Sequence, residues 1–471
     1  MTDRYESPFS ARYASEKMQI LFSADTRYIT WRKLWVALAE AQMKTGLPVT
    51  AEQVEELKAH TTDIDYAYEK EEERKLHHDV MAHIHTYGKV APKAAGIIHL
   101  GATSCYVTDN ADLIIMRDAL LLIRSELVAL VKALSGFADR YKALPCLGYT
   151  HFQSAQPVSM GKRAGLWLQD VLSDIEEIDF VLDTIKFLGC RGTTGTEASF
   201  MELFEGNEAK IDEMNSLIAN SFGFNECFTV SGQTYPRKFD SRIMNALSSV
   251  AQSVYRMAND IRLLQHDKQL EENFSEHQVG SSAMAYKRNP IHAERICSLA
   301  RYLMTDALNA HLTASLQWLE RTLDDSANRR ISLPEGFLCA DSIIRLSIDL
   351  INHLHVNEKV VAKFLNEYLP FIATENIMME AVKRGGDRQQ VHEIIRSCSM
   401  DATAALSRGE SADLLKKLAE HTELHLSEDE IRNLADPSLY IGRCPSQVDN
   451  LIARANSVID DSDFTDTDEI I

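Results

Sequence analysis

The chain has 471 residues, 69 acidic against 49 basic side chains and a formal net charge of −20 at pH 7. So negative a chain argues against nucleic acid or an anionic membrane surface as its main partner. Its eight cysteines are scattered without a C-x-x-C pair, so we predict neither a zinc site nor disulfides. Because no apolar stretch approaches the roughly 18 residues that span a bilayer, we predict a soluble, cytoplasmic protein with reduced thiols.

The scarcity of helix breakers predicts long helices, since the chain has only 20 glycines and 11 prolines. We expect shorter helices in the N-terminal part. Further along, apolar residues recur at steps of three and four, the spacing of a buried helical face. The clearest runs are 113–137, 164–185 and 247–264, and further helical stretches are predicted at 293–320 and 338–367. We find no strong strand pattern and predict an all-α protein.

Helices of this length pack as a bundle in a soluble protein. An extended bundle also exposes apolar seams on more than one side, so we expect it to associate with copies of itself in a closed, symmetric oligomer. A third helical segment follows the bundle. It ends in the acidic stretch DDSDFTDTDEII from Asp460, which buries little and which we expect to be mobile.

Four segments rich in glycine, threonine or serine interrupt the helical pattern. They are HLGATSCYVTDN (99–110), GYTHFQSAQP (148–157), GCRGTTGT (189–196) and GSSAMAYKRNP (280–290). Loops held by a rigid scaffold often carry function. Because segments at the ends of helices can converge in a bundle, we expect the chemistry in these four.

Two histidine-bearing segments supply candidate acid–base groups. His151 lies in a polar loop-to-helix junction, and because imidazoles titrate near neutral pH it is a candidate proton donor, although a lone histidine is more often a structural hydrogen-bonding residue. The string LHHDVMAHIH (76–85) contains His77 and His78 but no H-E-x-x-H spacing, so we predict no metal site. Asp79 either orients an imidazole or caps a helix, and both interpretations stay open.

Basic residues form two islands in this acidic chain. Lys287, Arg288 and Arg295 make the first, and the string RTLDDSANRR (321–330), at the end of a helical run, makes the second. A planar guanidinium suits a carboxylate or phosphate, whereas the alternative is a solvated helix end. From the residues alone we predict a helical, oligomeric enzyme that acts on a small polyanion.

Three of the four segments resemble known regions of the fumarase/aspartase superfamily. GSSAMAYKRNP resembles its signature loop, G-S-S-x-M-P-x-K-x-N-P, and GYTHFQSAQP resembles its T-H-x-Q-P-A-Q segment. GATSCYVTDN resembles the third region in the form found in adenylosuccinate lyases, whereas fumarases carry S-S-N-D and argininosuccinate lyases S-R-N-D there. The likeness to animal-type adenylosuccinate lyases covers nearly the whole chain, through SARYAS, HHDVMAH, PKAAGIIHLGATS, GTTGTEASF, SGQTYPRK and RTLDDSANRR.

This resemblance implies a fold and a reaction. The implied architecture is an N-terminal helical domain (1–105), a central long-helix bundle (106–358) that forms a tetramer core, and a C-terminal helical domain (359–471). Each active site of the homotetramer is implied to draw on three subunits, without metal or cofactor. The implied reaction eliminates fumarate from adenylosuccinate, giving AMP, and from the succinylated aminoimidazole carboxamide ribotide, giving aminoimidazole carboxamide ribotide in purine biosynthesis.

The resemblance also implies residue roles. His151 is the implied acid and Ser281 the implied base, with Ser282 as the alternative base. A serine alkoxide needs a loop that excludes water and a nearby cation such as Lys287. The residues implied to contact the substrate are Arg12, Tyr13, His77, His78, Asp79, Thr103, Ser104, Gln233, Lys287, Asn289, Arg295, Arg321, Ser326 and Arg330.

Three positions depart from the family pattern. Ala285 and Ser154 stand where the family has proline, and His77 stands where it commonly has arginine. We expect these departures to affect rate and affinity rather than reaction type. Two alternatives remain, another superfamily lyase such as argininosuccinate lyase or fumarase, and a non-catalytic helical scaffold. The GATS string weighs against the first, and the presence of both His151 and Ser281 weighs against the second.

Overall fold

The structure, a computed structural model, describes residues 4–273, 284 and 286–459. The α-helices in these ranges are α1 (Glu16–Leu21), α2 (Ala24–Lys44), α3 (Ala51–Ala59), α4 (Tyr66–Leu76), α5 (Asp79–Val90), α6 (Ser104–Arg140), α7 (Met160–Thr184), α8 (Ala198–Leu203), α9 (Glu208–Ser221), α10 (Lys238–His266), α11 (Ile291–Ser315), α12 (Asp324–His353), α13 (Glu358–Ile372), α14 (Thr374–Lys383), α15 (Arg388–Ser407), α16 (Leu414–Ala419), α17 (Glu428–Leu434) and α18 (Cys444–Asn456). The strands are β1 (Pro145–Thr150), β2 (Gln153–Ser159), β3 (Leu270–Glu271) and β4 (His355–Val356). A π-helical turn at Phe9–Tyr13 precedes α1.

Five long helices, α6, α7, α10, α11 and α12, form the centre of the molecule. α6 packs against α7 and α12, and α10 packs against α7, α11 and α12. The three apolar runs recognised in the sequence lie in α6, α7 and α10, where Leu120, Leu168 and Leu247 are completely buried. Packing removes the apolar face of each helix from water, which stabilises the bundle. The prediction of an all-α bundle of long helices is therefore confirmed.

The helix limits differ from the prediction around residue 355. The stretch predicted as one helix at 338–367 is two, because α12 ends at His353 and α13 begins at Glu358. Between them, β4 pairs antiparallel with β3, and Asn357 donates its backbone N–H to the Gln269 carbonyl at 3.0 Å. These long-range hydrogen bonds replace the local helical ones, so the apolar spacing continues across a break that it does not reveal.

The string at residues 321–330 also lies differently from the prediction. α11 ends at Ser315 rather than at residue 320, and α12 begins at Asp324. The string therefore lies at the start of a helix, not at the end of one. Arg321 precedes this helix start, where backbone N–H groups point outward and favour anions, and Arg329 and Arg330 lie in the second turn.

The segment around His151 was predicted as a loop-to-helix junction, and the structure shows a hairpin that precedes α7. β1 and β2 pair antiparallel from Pro145 and Ser159 to Thr150 and Gln153, with an irregularity after Leu147. The pairing contains an irregularity and burial does not alternate regularly along either strand, which explains why alternation in the sequence did not reveal them.

A second hydrophobic core lies in the C-terminal part of the chain. α14, α15, α16 and α17 build it around Ile377, Val391 and Leu418. α18 returns to the central bundle, where Val448 and Ala455 belong to the main core. The C-terminal part therefore has a core of its own and a helix that ties it to the bundle.

The limits predicted for the three domains lie close to helix starts. α6 begins at Ser104 and α13 at Glu358, near the predicted limits after residues 105 and 358, and the division into domains stays a prediction. The acidic stretch from Asp460 lies outside the described residues. Within the described ranges no helix is long and apolar enough to cross a membrane.

Candidate active site

A cavity of about 710 Å³ opens where five distant parts of the chain meet. They are the end of α1 with the first half of α2, the junction of α4 and α5, the start of α6, the segment before α10 and the start of α12. Eight residues expected to contact the substrate line this cavity together: His77, His78, Asp79, Ser104, Gln233, Arg321, Ser326 and Arg330. The structure thus brings together residues from four of the strings quoted above.

His78 is held by the start of α5. His77 ends α4 in the left-handed conformation (φ 51°), and this reversal lets α5 begin two residues later. The Nδ1 atom of His78 accepts the backbone N–H of Met81 at 3.4 Å, so His78 itself caps α5. Its Nε2 atom lies 3.4 Å from the Ser104 hydroxyl, at the start of α6. The cap leaves only Nε2 available for a ligand.

Asp79 faces a basic group of the cavity. One carboxylate oxygen accepts a hydrogen bond from Arg330 at 3.1 Å, and the other lies 3.8 Å from the Nδ1 atom of His78. Both interpretations of Asp79 were left open by the sequence. In the structure His78 is the N-cap residue of α5, while Asp79 accepts the backbone N–H of Val80 at 2.8 Å and links α5 to α12 through Arg330.

A tight turn sets the position of Ser104. Gly101 has a positive φ of 74°, and a Cβ atom there would lie 2.8 Å from the Leu203 side chain, so only glycine fits without a shift. Thr103 follows as the N-cap residue of α6 without a side-chain hydrogen bond to the helix. Thr103 is not among the lining residues of the cavity, unlike Ser104.

Arg321 is oriented by a buried chain of ion pairs. It donates to both oxygens of Asp325, at 3.0 and 2.9 Å. Asp325 also accepts from Nε of Arg237 at 2.7 Å, and Arg237 pairs with Asp109 of α6 at 2.9 Å. The side chains of Arg237, Asp109 and Asp325 are 2%, 3% and 0% exposed, so removing either sign of charge would leave the other unpaired.

A second buried cluster lies beside the first. Arg329 pairs with Asp240 at 2.7 Å and with Asp112 at 3.0 Å, and Tyr235 hydrogen-bonds both Arg329 and Asp240. Burial and the positive charge of Arg329 both act to lower the pKa of Arg237, and the neighbouring carboxylates outweigh them and raise it. The arginines at the base of the cavity therefore remain charged.

The amide of Gln233 is held at both ends. Its Oε1 atom accepts from the Cys105 thiol at 3.4 Å, and its Nε2 atom donates to the Thr193 carbonyl at 3.2 Å. Burial raises the pKa of the Cys105 thiol to about 12, so the thiol keeps the proton that it donates. The segment at 189–196 thus contributes a backbone carbonyl that orients a cavity side chain.

Arg12, Tyr13 and Arg295 form a group of their own. The guanidinium carbon of Arg12 lies 6.0 Å from the centre of the Tyr13 ring, and that of Arg295 lies 5.6 Å from it. None of the three lines the cavity. The same π-helical turn contributes Ser10 to a smaller cavity of about 470 Å³, which adjoins the first and shares Arg330 with it.

His151 lies apart from both groups. It occupies the exposed turn of the β1–β2 hairpin in a left-handed conformation (φ 53°) and is absent from the cavity lining. The hairpin packs on α13, α7 and α18. Lys287 and Asn289 also lie outside the lining. Ser281, Ser282 and Ala285 lie outside the described residues.

Several lining residues were not singled out from the sequence. They are Phe22, Arg27, Tyr28, Trp31, Glu73, Asp109, Asp112 and Arg237, among others. Asp109 and Arg237 belong to strings quoted for the resemblance, so the motifs contained that signal, and Arg329 was counted in the second basic island. The N-terminal aromatic residues carry no local pattern that separates them from core residues. Among the described residues, no group of three or more histidine, cysteine, aspartate or glutamate side chains could hold a metal ion.

Comparison with known proteins identifies the class and then the family. A family model described as "Lyase" matches residues 28–305. The crystal structure of a fumarate lyase from Mesorhizobium sp. BNC1 superposes with a TM-score of 0.79 at 23% identity, covering 96% of this chain and 99% of that one, which is a likeness of fold. The chain is therefore a lyase with the all-α fumarase/aspartase fold.

Further comparisons identify one family within this class. A model described as "Adenylosuccinate lyase C-terminus" matches residues 370–451. The chain is 47% identical over 452 residues to adenylosuccinate lyase of Schizosaccharomyces pombe, covering 95% of this chain and 94% of that protein. It is 46% identical over 456 residues to that of Saccharomyces cerevisiae, covering 96% and 95%. The chain belongs to the adenylosuccinate lyase family.

Proposed function

We propose that the chain eliminates fumarate from adenylosuccinate, giving AMP, and from the succinylated aminoimidazole carboxamide ribotide, in the purine biosynthesis of the cytoplasm. The observation that carries this proposal is that eight of the residues expected to contact substrate line one cavity, in a chain of this family. The free state of all eight cysteines supports the cytoplasmic assignment.

The elimination needs a base and an acid on opposite sides of one bond. The base removes the proton from the carbon next to a carboxylate, and the acid protonates the nitrogen that leaves. We assign the acid to His151 and the base to Ser281, and a carbanion with two negative charges on its carboxylate forms between these steps. Fixed positive charge must surround that intermediate, because preorganised cations stabilise developing charge.

The charge of the cavity supports a site completed by other chains. Its lining contains five arginines and five carboxylates, so within one chain these charges cancel. The arginines are Arg27, Arg237, Arg321, Arg329 and Arg330, and the carboxylates are Glu73, Asp79, Asp109, Asp112 and Asp325. A substrate with a phosphate and two carboxylates requires further cations, for which Lys287, Arg295 and Arg12 of neighbouring subunits are the candidates.

An exposed apolar stripe supports a homotetramer. Leu308 and Leu312 on α11 and Leu316, its C-cap residue, recur at steps of four residues and are 57%, 62% and 52% exposed. Residues spaced in this way lie on one helix face. Leaving such a face in water is unfavourable, and packing it against another copy would remove it from water. We propose a tetramer in which His151, Ser281 and the cavity residues of one site come from three different subunits.

The test of the function is the release of fumarate from candidate substrates. Purified protein is mixed separately with adenylosuccinate, argininosuccinate and malate, and fumarate is measured. We expect rapid release from adenylosuccinate alone. Rapid release from either other substrate would assign the chain to another branch of the superfamily, and release from none would favour a scaffold.

The tetramer is tested separately. Leu312→Glu places a charge within the exposed stripe, and Leu406→Glu places one at an equally apolar, 47% exposed position on α15. We expect only the first substitution to reduce the mass measured by light scattering and to abolish activity. Equal masses for both variants would contradict this interface.

A further inference from the structure

The N-terminal end of α11 is capped by a residue from a distant part of the sequence. Pro290 is the N-cap residue of α11 and makes no side-chain hydrogen bond to it. Instead, the Glu272 carboxylate accepts the backbone N–H of His292 at 3.0 Å and that of Ala293 at 2.9 Å. Unpaired N–H groups at a helix start favour a negative charge. The Glu272 carboxylate therefore caps a helix that begins nineteen positions later.

A second residue reinforces this contact. The Oε1 atom of Gln265, near the end of α10, accepts the backbone N–H of Glu272 at 3.2 Å, and its Nε2 atom donates to the Arg288 carbonyl at 3.5 Å. Gln265 and Glu272 are each 8% exposed. The end of α10 and the start of α11 are thus joined through two buried side chains.

The burial of Glu272 calls for a reason beyond capping. A serine or aspartate at the residue before the helix would cap α11 locally, as Asp387 caps α15 by accepting from Gln389 and Gln390 at 3.0 and 2.9 Å. Burying a carboxylate is costly unless its partners compensate, so capping α11 with the buried Glu272 is less favourable than capping it with an exposed local side chain. The buried cap, however, also fixes the position of the start of α11 relative to α10 and β3.

That helix start carries residues assigned to the substrate. Lys287 and Asn289 lie just before it, and Arg295, over the Tyr13 ring, lies within its second turn. A shift of the first turn of α11 would move all three. Glu272 holds this helix start through two backbone N–H groups, so its effect on these three residues is carried by the backbone.

We propose that Glu272 is a positioning residue for the lyase reaction. Its carboxylate fixes the backbone at the start of α11, and through it the placement of Lys287, Asn289 and Arg295 against the substrate. The inference rests on the proposed function for its kinetic consequence. The structural claim, that Glu272 fixes the start of α11, depends only on the contacts of Glu272 and not on the proposed function.

The test compares two carboxylate-to-amide changes at helix starts. In Glu272→Gln the amide nitrogen faces a backbone N–H, so one hydrogen bond and the negative charge are lost. The control, Asp387→Asn, makes the same change at α15, in the C-terminal core. Because small misplacements of reacting groups are costly, we expect Glu272→Gln to lower kcat per folded tetramer by about 10- to 100-fold and to change KM by less than about threefold. The control should stay within about twofold of the parent.

Hydrogen exchange supplies a readout that does not depend on activity. In Glu272→Gln we expect faster exchange of the backbone amides of 291–296, with the rest of α11 unchanged. A folded Glu272→Gln variant with parental kcat, or with parental exchange at the start of α11, would overturn the inference. Glu272→Asp, one methylene shorter, is the second variant. If neither variant folds, Glu272 is a folding residue and the positioning role is wrong.

The same assays separate the two proposals. If the parent protein releases no fumarate from adenylosuccinate, the proposed function fails, and the exchange experiment still decides whether Glu272 fixes the helix start. If the parent is active and Glu272→Gln matches it, only the present inference fails.

Discussion

Mixed tetramers provide the sharpest test of a shared active site. His151 lies on the hairpin turn and is absent from the cavity lining, so we expect the acid and the base to reach one site from different chains. His151→Ala and Ser281→Ala alone should each lose at least about 100-fold in turnover, since a positioned acid or base contributes that much. When the two variants are mixed in equal amounts and assemble at random, about one quarter of the sites contain both intact groups.

The assay is fumarate release from adenylosuccinate after the two variants are unfolded together and refolded, or expressed together with different tags. The mixture should recover about a quarter of the parental activity, while each variant treated alone recovers none. Two differently tagged copies of His151→Ala, mixed in the same way, control for an effect of the treatment. A mixture as inactive as its components would mean that one chain supplies both groups, and the shared-site proposal would be wrong.

Three further predictions concern stability and the hairpin. Arg237→Met leaves buried carboxylates unpaired and should lower the free energy of unfolding, measured with urea, by about 3–5 kcal/mol. The control is Arg454→Met, which breaks an exposed ion pair with Glu176 and should cost less than about 1 kcal/mol. Burial raises the pKa of Asp174 from 3.8 to about 7, so the folded state holds the proton more tightly and the contribution of Asp174 to stability falls as pH rises between these values. Asp174→Asn lacks this contribution, so the difference in melting temperature between the parent and the variant should change between pH 5 and pH 8. The same difference at both pH values would contradict the prediction. A Cβ atom at Gly148 would lie 2.3 Å from a carbonyl oxygen of the facing strand, so Gly148→Ala should displace the hairpin and lower kcat at least about tenfold, whereas Gly136→Ala, with open space around it, should leave kcat unchanged.

Much of the fold follows from local patterns in the chain. The steps of three and four residues that mark a buried helical face are visible in any helix of this length, and they located α6, α7 and α10. The motifs around Ser104, Gln233 and Arg321 are contiguous strings, so their resemblance to a family can be recognised from the sequence alone. In the structure these three residues line one cavity.

The ion-pair partners of the buried charged residues could not be predicted from the sequence. Arg237 pairs with Asp325, 88 positions away, and with Asp109, 128 positions away, and nothing in the local sequence distinguishes these carboxylates from the many solvated ones. The same holds for Glu272 at the start of α11 and for the hairpin that carries His151. Local spacing specifies a helix because its hydrogen bonds join neighbours four residues apart. An ion pair or a helix cap across the molecule depends on which surfaces the packed helices bring into contact, and that packing is a property of the whole chain.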